Sequence, residues 1–218
     1  MEHAVLIAGK QSPFTDDLIQ ETLRRGDRVF ASYDDSDTPP EVPDTFGESL
    51  RYIPWNRRSL ISSRSLILTI DQEPVVPERV IVVCAPEGVN APLHEVEAVT
   101  IEEKIDTSVK GYLFAIREIA AYFIRRRGGD LTILWYDPGV DLLPPVDAAI
   151  AGAVQGFAQS MLGYYENEPF KIRGLSASNA ESRAVATWVL EQIYDRTEKS
   201  AGRWQKYGQK MGILPFRR

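Results

Sequence analysis

The chain has 218 residues, of which 44% are hydrophobic and 26% are charged. This length is enough for one sizeable α/β domain, and the composition is that of an ordinary globular protein, which argues against a disordered or coiled-coil chain. The 25 Lys and Arg residues against 31 Asp and Glu residues give a formal net charge of −6, which argues against binding that neutralises many phosphates. We therefore expect no nucleic-acid partner.

The beginning of the chain predicts a strand, a turn, a helix and a second strand. An apolar run over residues 3–8 is typical of a strand buried on both faces, and Gly9 ends it. Apolar positions then recur at helical spacing over 15–25, where Thr15 is the predicted cap. A second apolar run over 28–32 completes a βαβ unit. A parallel sheet is therefore expected.

Strands and helices continue to alternate along the rest of the chain. After a polar loop, the patterns predict strands at 50–53, 79–85, 131–136, 171–175 and 203–207, and helices at 56–70, 100–127, 147–165 and 180–195. Neither a repeat nor a linker separates a second domain. The pattern predicts a single doubly wound, Rossmann-like α/β domain over 1–218, with a mostly parallel sheet of about seven strands.

The apolar runs and the cysteine content bear on location. The longest runs, such as 80–85, are strand-sized and far shorter than the roughly 20 residues that cross a bilayer. The amino terminus lacks the basic start and apolar core of a signal peptide. Cys84 is the single cysteine, and the histidines are isolated, so neither an internal disulfide nor a metal site is expected. We expect a cytoplasmic protein without a membrane segment.

The order of elements and two local sequences resemble the short-chain dehydrogenase/reductase family. Residues 154–162 read Val-Gln-Gly-Phe-Ala-Gln-Ser-Met-Leu on a helix rich in small residues, and 171–175 read Lys-Ile-Arg-Gly-Leu on a strand. The resemblance covers nearly the whole chain. It implies a doubly wound fold whose first strand-to-helix turn would hold NAD or NADP.

The first turn departs from the family's pattern. The family reads Thr-Gly-x-x-x-Gly-x-Gly there, because bare backbone lets a pyrophosphate approach the amino terminus of a helix. Residues 8–15 of this chain read Ala-Gly-Lys-Gln-Ser-Pro-Phe-Thr, in which Pro13 removes a backbone donor and Thr15 adds a branched side chain. The segment Lys10-Gln-Ser12 is either an anion-binding turn or a plain connection.

The resemblance implies where a dinucleotide would lie if one binds. Tyr33 takes the place of the acidic residue that would meet the ribose, and Asp34 follows it. The family's Asn-Asn-Ala-Gly corresponds to 83–86, where Val and Cys replace both amides. The cofactor positions implied are Gly9, Gln11, Ser12, Phe14, Tyr33, Asp34 and Ala85. Because most of the expected groups are replaced, we predict that no cofactor binds tightly.

The family's four catalytic positions are all replaced. In the family, a Tyr transfers the proton, a Lys four residues later lowers the pKa of that Tyr, a Ser polarises the substrate oxygen and an Asn orients a water relay. These positions fall on Asp147, on Ala151, near Tyr136 and on Ser108 respectively. Only 176–179 stand where the family has a long segment that closes over substrate. No catalytic residue is therefore supported.

Two functions remain open at this point. The first is a degenerate short-chain dehydrogenase/reductase that transfers no hydride and binds a small molecule or an unknown protein. The second is an NAD(P)-dependent oxidoreductase with a rebuilt site, to which Tyr136 and Asp137 would contribute a new acid pair at the carboxyl end of the sheet.

Self-association is also predicted, as a dimer or a tetramer built from dimers. Small residues recur on one side of helix 147–165 at Ala149, Gly152, Ala153 and Gly156, so another backbone can approach closely there. Helix 100–127 has more apolar positions than one stripe facing the sheet requires: Val109, Tyr112, Leu113, Ile116, Ile119, Ala120 and Phe123. The alternative is that the small residues let the second helix sit tightly on its own sheet.

Overall fold

A computed structural model describes residues 3–139, 141–195 and 201–208. Within these residues, seven parallel strands form one sheet in the order β3-β2-β1-β4-β5-β6-β7. The strands are β1 (Ala4–Gly9), β2 (Arg28–Tyr33), β3 (Leu50–Pro54), β4 (Arg79–Cys84), β5 (Asp130–Asp137), β6 (Lys171–Ser178) and β7 (Trp204–Lys206). The prediction of a doubly wound, Rossmann-like sheet is confirmed.

Helices connect the strands and cover both faces of the sheet. They are α1 (Pro13–Arg24), α2 (Leu60–Asp71), α3 (Ala98–Ile105), α4 (Gly111–Arg126), α5 (Pro145–Tyr164) and α6 (Ser182–Tyr194). A π-helical turn at Asp106–Lys110 joins α3 to α4, and single 3-10 turns lie at Gly47–Ser49 and Leu93–Glu95. None of the helices in the described ranges combines the length and the apolar composition needed to span a membrane.

The core has one layer on each face of the sheet, because successive strand residues point to opposite faces. Leu6 of β1 belongs to the layer that also contains side chains of α2, α4 and α5. Its neighbour Ile7 belongs to the layer that contains side chains of α1 and α6. The continuous apolar runs of the strands follow from this burial on both faces.

The boundaries of several elements differ from those predicted. Helix α1 begins two residues earlier, because the Ser12 hydroxyl rather than Thr15 caps it, accepting from the Thr15 N–H at 3.2 Å. The helix predicted at 100–127 contains the π-helical turn. Strand β6 extends three residues beyond the predicted end, so only 179–181 connect it to α6. Strand β7 lies within 203–207; residues 1–2, 140, 196–200 and 209–218 of the predicted single domain lie outside the described residues.

Candidate functional site

A cleft of about 590 Å³ opens at the carboxyl edge of the sheet. In open α/β sheets, ligands bind at this edge where the strand order reverses, and here the order reverses between β1 and β4. We call this cavity the sheet-edge cleft. Its walls include Lys10, Gln11, Ser12, Phe14, Ala85, Pro86, Gly88, Tyr136, Asp137, Asp141, Leu142, Leu143 and Asp147. It lies within the size range of small-molecule sites.

A smaller cavity of about 200 Å³ lies on the other side of Lys10 and Gln11, and we call it the side cavity. Its lining includes Asp34, Trp55 and Arg57, from the loops that follow β2 and β3. The Asp34 carboxylate accepts bonds from the N–H of Ser36 at 3.1 Å and from its hydroxyl at 2.7 Å. The two cavities therefore share a wall made by the turn between β1 and α1.

Gly9 is required by the packing of the sheet. A Cβ atom at this position would lie 2.6 Å from the carbonyl oxygen of Val83 on the adjacent strand, which is far closer than real contacts. The Gly9 N–H donates to Ser32 Oγ at 3.0 Å, and the Ser32 hydroxyl donates to the Gly9 carbonyl oxygen at 3.2 Å. The packing of the sheet therefore explains why Gly9, the one family glycine that the turn retains, is a glycine, and this explanation involves no ligand.

The amino terminus of α1 is already bonded to its own chain. Besides capping Thr15, Ser12 accepts the Asp16 N–H at its carbonyl oxygen at 3.0 Å. Pro13 occupies the first helical turn, where a missing N–H costs no intrahelical bond, so its effect is smaller than the sequence suggested. The buried Thr15 hydroxyl donates to the Lys10 carbonyl oxygen at 2.8 Å and ties the turn closed. Few amides remain here for an anion.

Tyr136 is packed and bonded as a structural residue. Its ring stacks on Phe14, with centroids 4.1 Å apart, and its hydroxyl donates to the Ala180 carbonyl oxygen at 3.0 Å. Burial, reinforced by the negative charges of Glu181 and Asp17, raises the pKa of Tyr136 above its ordinary value. The adjacent Asp137 carboxylate accepts the Gly139 N–H at 2.9 Å. Tyr136 and Asp137 therefore have separate hydrogen-bond partners.

Asp147 is the most constrained polar residue of the sheet-edge cleft. It lies in the first turn of α5 with only 1% of its surface exposed. Its Oδ1 accepts the N–H of Glu87 at 2.8 Å, and its Oδ2 accepts the N–H groups of Gly88 and Val89 at 3.1 Å each. The carboxylate thus fastens the loop after β4 to α5 through three charge-assisted hydrogen bonds.

Glu87 is the centre of a second buried network. Only 3% of its side chain is exposed, and its Oε1 accepts from Arg57 Nη1 at 2.9 Å and from Ser108 Oγ at 2.7 Å. Lys10 Nζ and Lys104 Nζ lie 3.4 and 3.8 Å from Oε2. Burial alone would raise the pKa of Glu87, but Arg57, Ser108 and Lys10 together lower it below its ordinary value. The carboxylate is therefore ionised and multiply paired.

Of the four residues at the family's catalytic positions, Tyr136 and Asp147 line the sheet-edge cleft, and Ser108 and Asp147 both bond to Glu87. Ser108 lies in the π-helical turn, buried against Glu87, while Asp147 binds backbone amides. Ala151 is half-buried on α5 and carries no functional group, and Tyr136 binds the loop before α6. Cys84 is fully buried, and burial raises the pKa of its thiol.

The cofactor positions that the resemblance implied divide between the two cavities. Gln11, Ser12, Phe14 and Ala85 line the sheet-edge cleft, while Gly9, Gln11 and Asp34 line the side cavity; Tyr33 lines neither. Sequence reasoning missed Glu87 and Arg57. Both are charged residues that follow closely after a strand, and this position at the carboxyl edge was a usable signal.

Comparisons with solved structures test the fold. A short-chain dehydrogenase from Leptospira borgpetersenii, solved with bound NAD⁺, superposes with a TM-score of 0.80 at 14% identity, over 94% of this chain and 91% of that chain. A short-chain dehydrogenase from Mycobacterium smegmatis gives 0.75 at 14% identity, over 97% and 94%. ElxO with NADP bound gives 0.78 at 11% identity, over 94% and 97%. The chain has the short-chain dehydrogenase/reductase fold.

Sequence comparisons add nothing to this result, because no protein-family model matches the chain and no curated protein is significantly similar to it in sequence. At identities of 11–14%, the likeness concerns the fold alone. What this example of the short-chain dehydrogenase/reductase fold does must therefore be argued from its own cleft. Among the described residues, no group of three or more His, Cys, Asp or Glu side chains is placed to hold a metal ion.

Proposed function

We propose that this protein binds a small molecule in the sheet-edge cleft without transferring hydride. One observation carries the proposal: Asp147, to which the resemblance assigns the position of the family's proton-transferring Tyr, accepts three backbone N–H groups at 2.8 to 3.1 Å. The carboxylate is committed to these three backbone donors, and releasing it would leave the buried N–H groups of Glu87 and Val89 and the partly buried N–H of Gly88 unpaired. Its function is to hold the wall of the cleft.

Two further features support a binding role. Ala151 supplies no cation four residues after Asp147, so no side chain at that position would lower the pKa of a proton-transferring group or bind a ribose. The connection between β6 and α6 has three residues and spans at most about 10 Å, which is too short to fold over a bound substrate. Within the part of the chain that the structure describes, this connection therefore supplies no lid over the cleft.

The second candidate is an NAD(P)-dependent oxidoreductase with a rebuilt site. The side cavity and the sheet-edge cleft flank residues 10–11, an arrangement with room for an extended ligand on both sides of the turn. The Leptospira and ElxO structures contain NAD⁺ and NADP respectively. Against this candidate, α1 has two of its first amides bonded internally and a proline in its first turn.

We expect calorimetric titration with NAD, NADP and their reduced forms to detect no dissociation constant below about 1 mM, equivalent to about −4 kcal/mol.

We expect no turnover of common carbonyl substrates with either reduced cofactor. The double variant Asp147→Tyr/Ala151→Lys should also be inactive, because catalytic groups act as a unit and the substrate-polarising position and the lid remain unfilled. Micromolar cofactor binding, or wild-type turnover that Tyr136→Phe abolishes, would establish the oxidoreductase instead.

We further propose that the protein self-associates through α5. Ala149, Gly152, Ala153 and Gly156 are all exposed, while Ile150, Val154, Ala158 and Met161 face the core, so the small residues do not serve packing on the chain's own sheet. The exposed apolar surface of α4 is smaller than its sequence suggested, because most of the apolar residues are buried within the chain: Tyr112, Ile116, Ile119, Ala120 and Phe123. Of the large apolar residues singled out on this helix, Leu113 is exposed. A two-fold contact between α5 helices would cover the small-residue stripe.

Gly152→Arg should convert the self-associated species to a monomer in sedimentation velocity at micromolar concentration. A long charged side chain at the closest approach of two helices must be buried unpaired or expelled with the partner. Gly152→Ala, which adds one methyl group with no atom within 4 Å inside the chain, should leave association intact. Gln20→Arg adds the same charge at an exposed position on α1 and serves as a control. A monomeric wild type would contradict this proposal.

A further inference from the structure

We infer that the ligand of the sheet-edge cleft is an amphiphilic monocarboxylate, with an apolar body in the cleft and its carboxylate against Lys10. This inference rests on the proposed binding function and specifies its ligand class. It follows from three observations. The cleft has a wall of apolar side chains, and Lys10 can leave Glu87 while that carboxylate stays paired with other groups. Acidic groups in the wall also oppose any ligand of higher negative charge.

The first observation is the apolar wall. Phe14, Pro86, Leu143 and Pro144 line the sheet-edge cleft, together with Leu142 at its rim. Leu142 is 95% exposed, so a large apolar side chain stands in water beside an open cavity. A ligand with a hydrocarbon body would remove this surface from water, and burial of apolar area is the main source of affinity in such sites.

The second observation is the position of Lys10. Its Nζ lies 3.4 Å from Glu87 Oε2, which is a long contact, while Glu87 Oε1 has shorter bonds to Arg57 and Ser108. With Lys104 at 3.8 Å, three cations surround one carboxylate. Lys10 is 42% exposed in its side chain and lines both cavities, so it is the cation that can turn to a ligand while Glu87 stays paired.

The third observation limits the charge of the ligand. Asp137, Asp141 and Asp147 also line the cleft, so one lysine faces three carboxylates in its wall. A phosphate dianion or a pyrophosphate would meet this acidic wall with Lys10 as the one cation among the described residues that line it. A single carboxylate beside Lys10 is the anion that the wall tolerates.

The test compares decanoate, decanol and acetate by calorimetric titration below the micelle concentration. Wild type should bind one decanoate per chain, with decanol weaker by about tenfold or more, since a hydrogen bond between charged groups contributes that much. Acetate should show no measurable binding because it lacks the apolar body. Leu142→Ser should weaken decanoate and decanol by the same factor, and its exposed position leaves the fold unchanged.

Lys10→Met should weaken decanoate about tenfold or more and leave decanol unchanged. The matched control is Lys110→Met, which removes a lysine that is 41% exposed in its side chain and pairs with Asp106 outside the cleft. Urea unfolding of Lys10→Met verifies that Arg57 and Ser108 keep the fold intact. Equal loss of decanoate affinity in both lysine variants, or equal affinity of wild type for decanoate and decanol, would overturn the inference.

The same titrations separate this inference from the proposed function. If neither decanoate nor any dinucleotide binds, the ligand class is wrong while the absence of hydride transfer stands. If NAD or NADP binds at micromolar concentration and decanoate does not, both are wrong. More than one decanoate per chain, unaffected by Lys10→Met, would indicate nonspecific adsorption and would also overturn the inference.

Discussion

Asp147→Ala is expected to lower the free energy of unfolding by about 3 to 5 kcal/mol. The substitution removes three charge-assisted hydrogen bonds and leaves the N–H groups of Glu87, Gly88 and Val89 without an acceptor. An unpaired buried donor costs about 1 to 3 kcal/mol, and hydrogen bonds to charged groups contribute about as much. Urea unfolding followed by tryptophan fluorescence measures the loss.

Two variants calibrate this expectation. Asp147→Asn keeps one carbonyl acceptor and should lose about half as much stability. Asp141→Ala removes an exposed carboxylate of the same cleft and should change stability by no more than about 0.5 kcal/mol. A loss below about 1 kcal/mol in Asp147→Ala would mean that water replaces the carboxylate at the three amides, and would remove the main support for a structural Asp147.

Glu87→Ala is expected to cost about 3 to 5 kcal/mol for a different reason. The variant leaves Arg57, whose side chain is nearly buried, without its carboxylate partner, and breaking a buried ion pair from one side is strongly destabilising. Glu191→Ala, at an exposed position on α6, provides a control for loss of a Glu side chain and should change stability little. Equal losses in the two variants would contradict the central role of Glu87.

The ion pair of Glu87 and Arg57 makes the free energy of unfolding depend on pH, and the lowered pKa of Glu87 fixes the sign of that dependence. A carboxylate with a folded pKa below its ordinary value of 4.5 stabilises the folded state fully above that value and loses its contribution as the pH falls through the folded pKa. The difference in unfolding free energy between wild type and Glu87→Gln should be constant from pH 6 to pH 8, within about 0.5 kcal/mol, and shrink below about pH 4. A difference that grows in acid would contradict the assignment.

The fold could be predicted from sequence because its strands are continuous apolar runs separated by helices with a different period. The residue at which α1 begins was harder to predict, since Ser12 and Thr15 can both cap a helix and only the backbone geometry selects Ser12. The orientation of α5 was not predictable either. Its small residues suit a tight contact on either side of the helix, and the structure places them away from the sheet.

The resemblance pointed to several residues that line the sheet-edge cleft, but nothing in the sequence indicated their hydrogen bonds. Asp147 was located through the resemblance, but its partners are backbone amides 58 to 60 residues away, and no side-chain pattern marks a backbone donor. The partners of Glu87 come from three separate connections, so no local spacing predicts them. Long-range contacts of this kind follow from the sheet order, which local periodicity does not specify.

The short connection between β6 and α6 has a kinetic consequence. Three residues cannot form a gate at this connection, so we expect a ligand of the proposed kind to enter past it at the ordinary encounter rate of about 10⁶ M⁻¹ s⁻¹, with a lifetime set by its affinity. For a dissociation constant of about 10 μM, this corresponds to release within about a tenth of a second. Occupancy of the cleft would then follow the free ligand concentration almost without delay. Under the proposed binding function, such rapid exchange would suit a protein that reports or buffers a metabolite level and would be poorly suited to retaining a reaction intermediate.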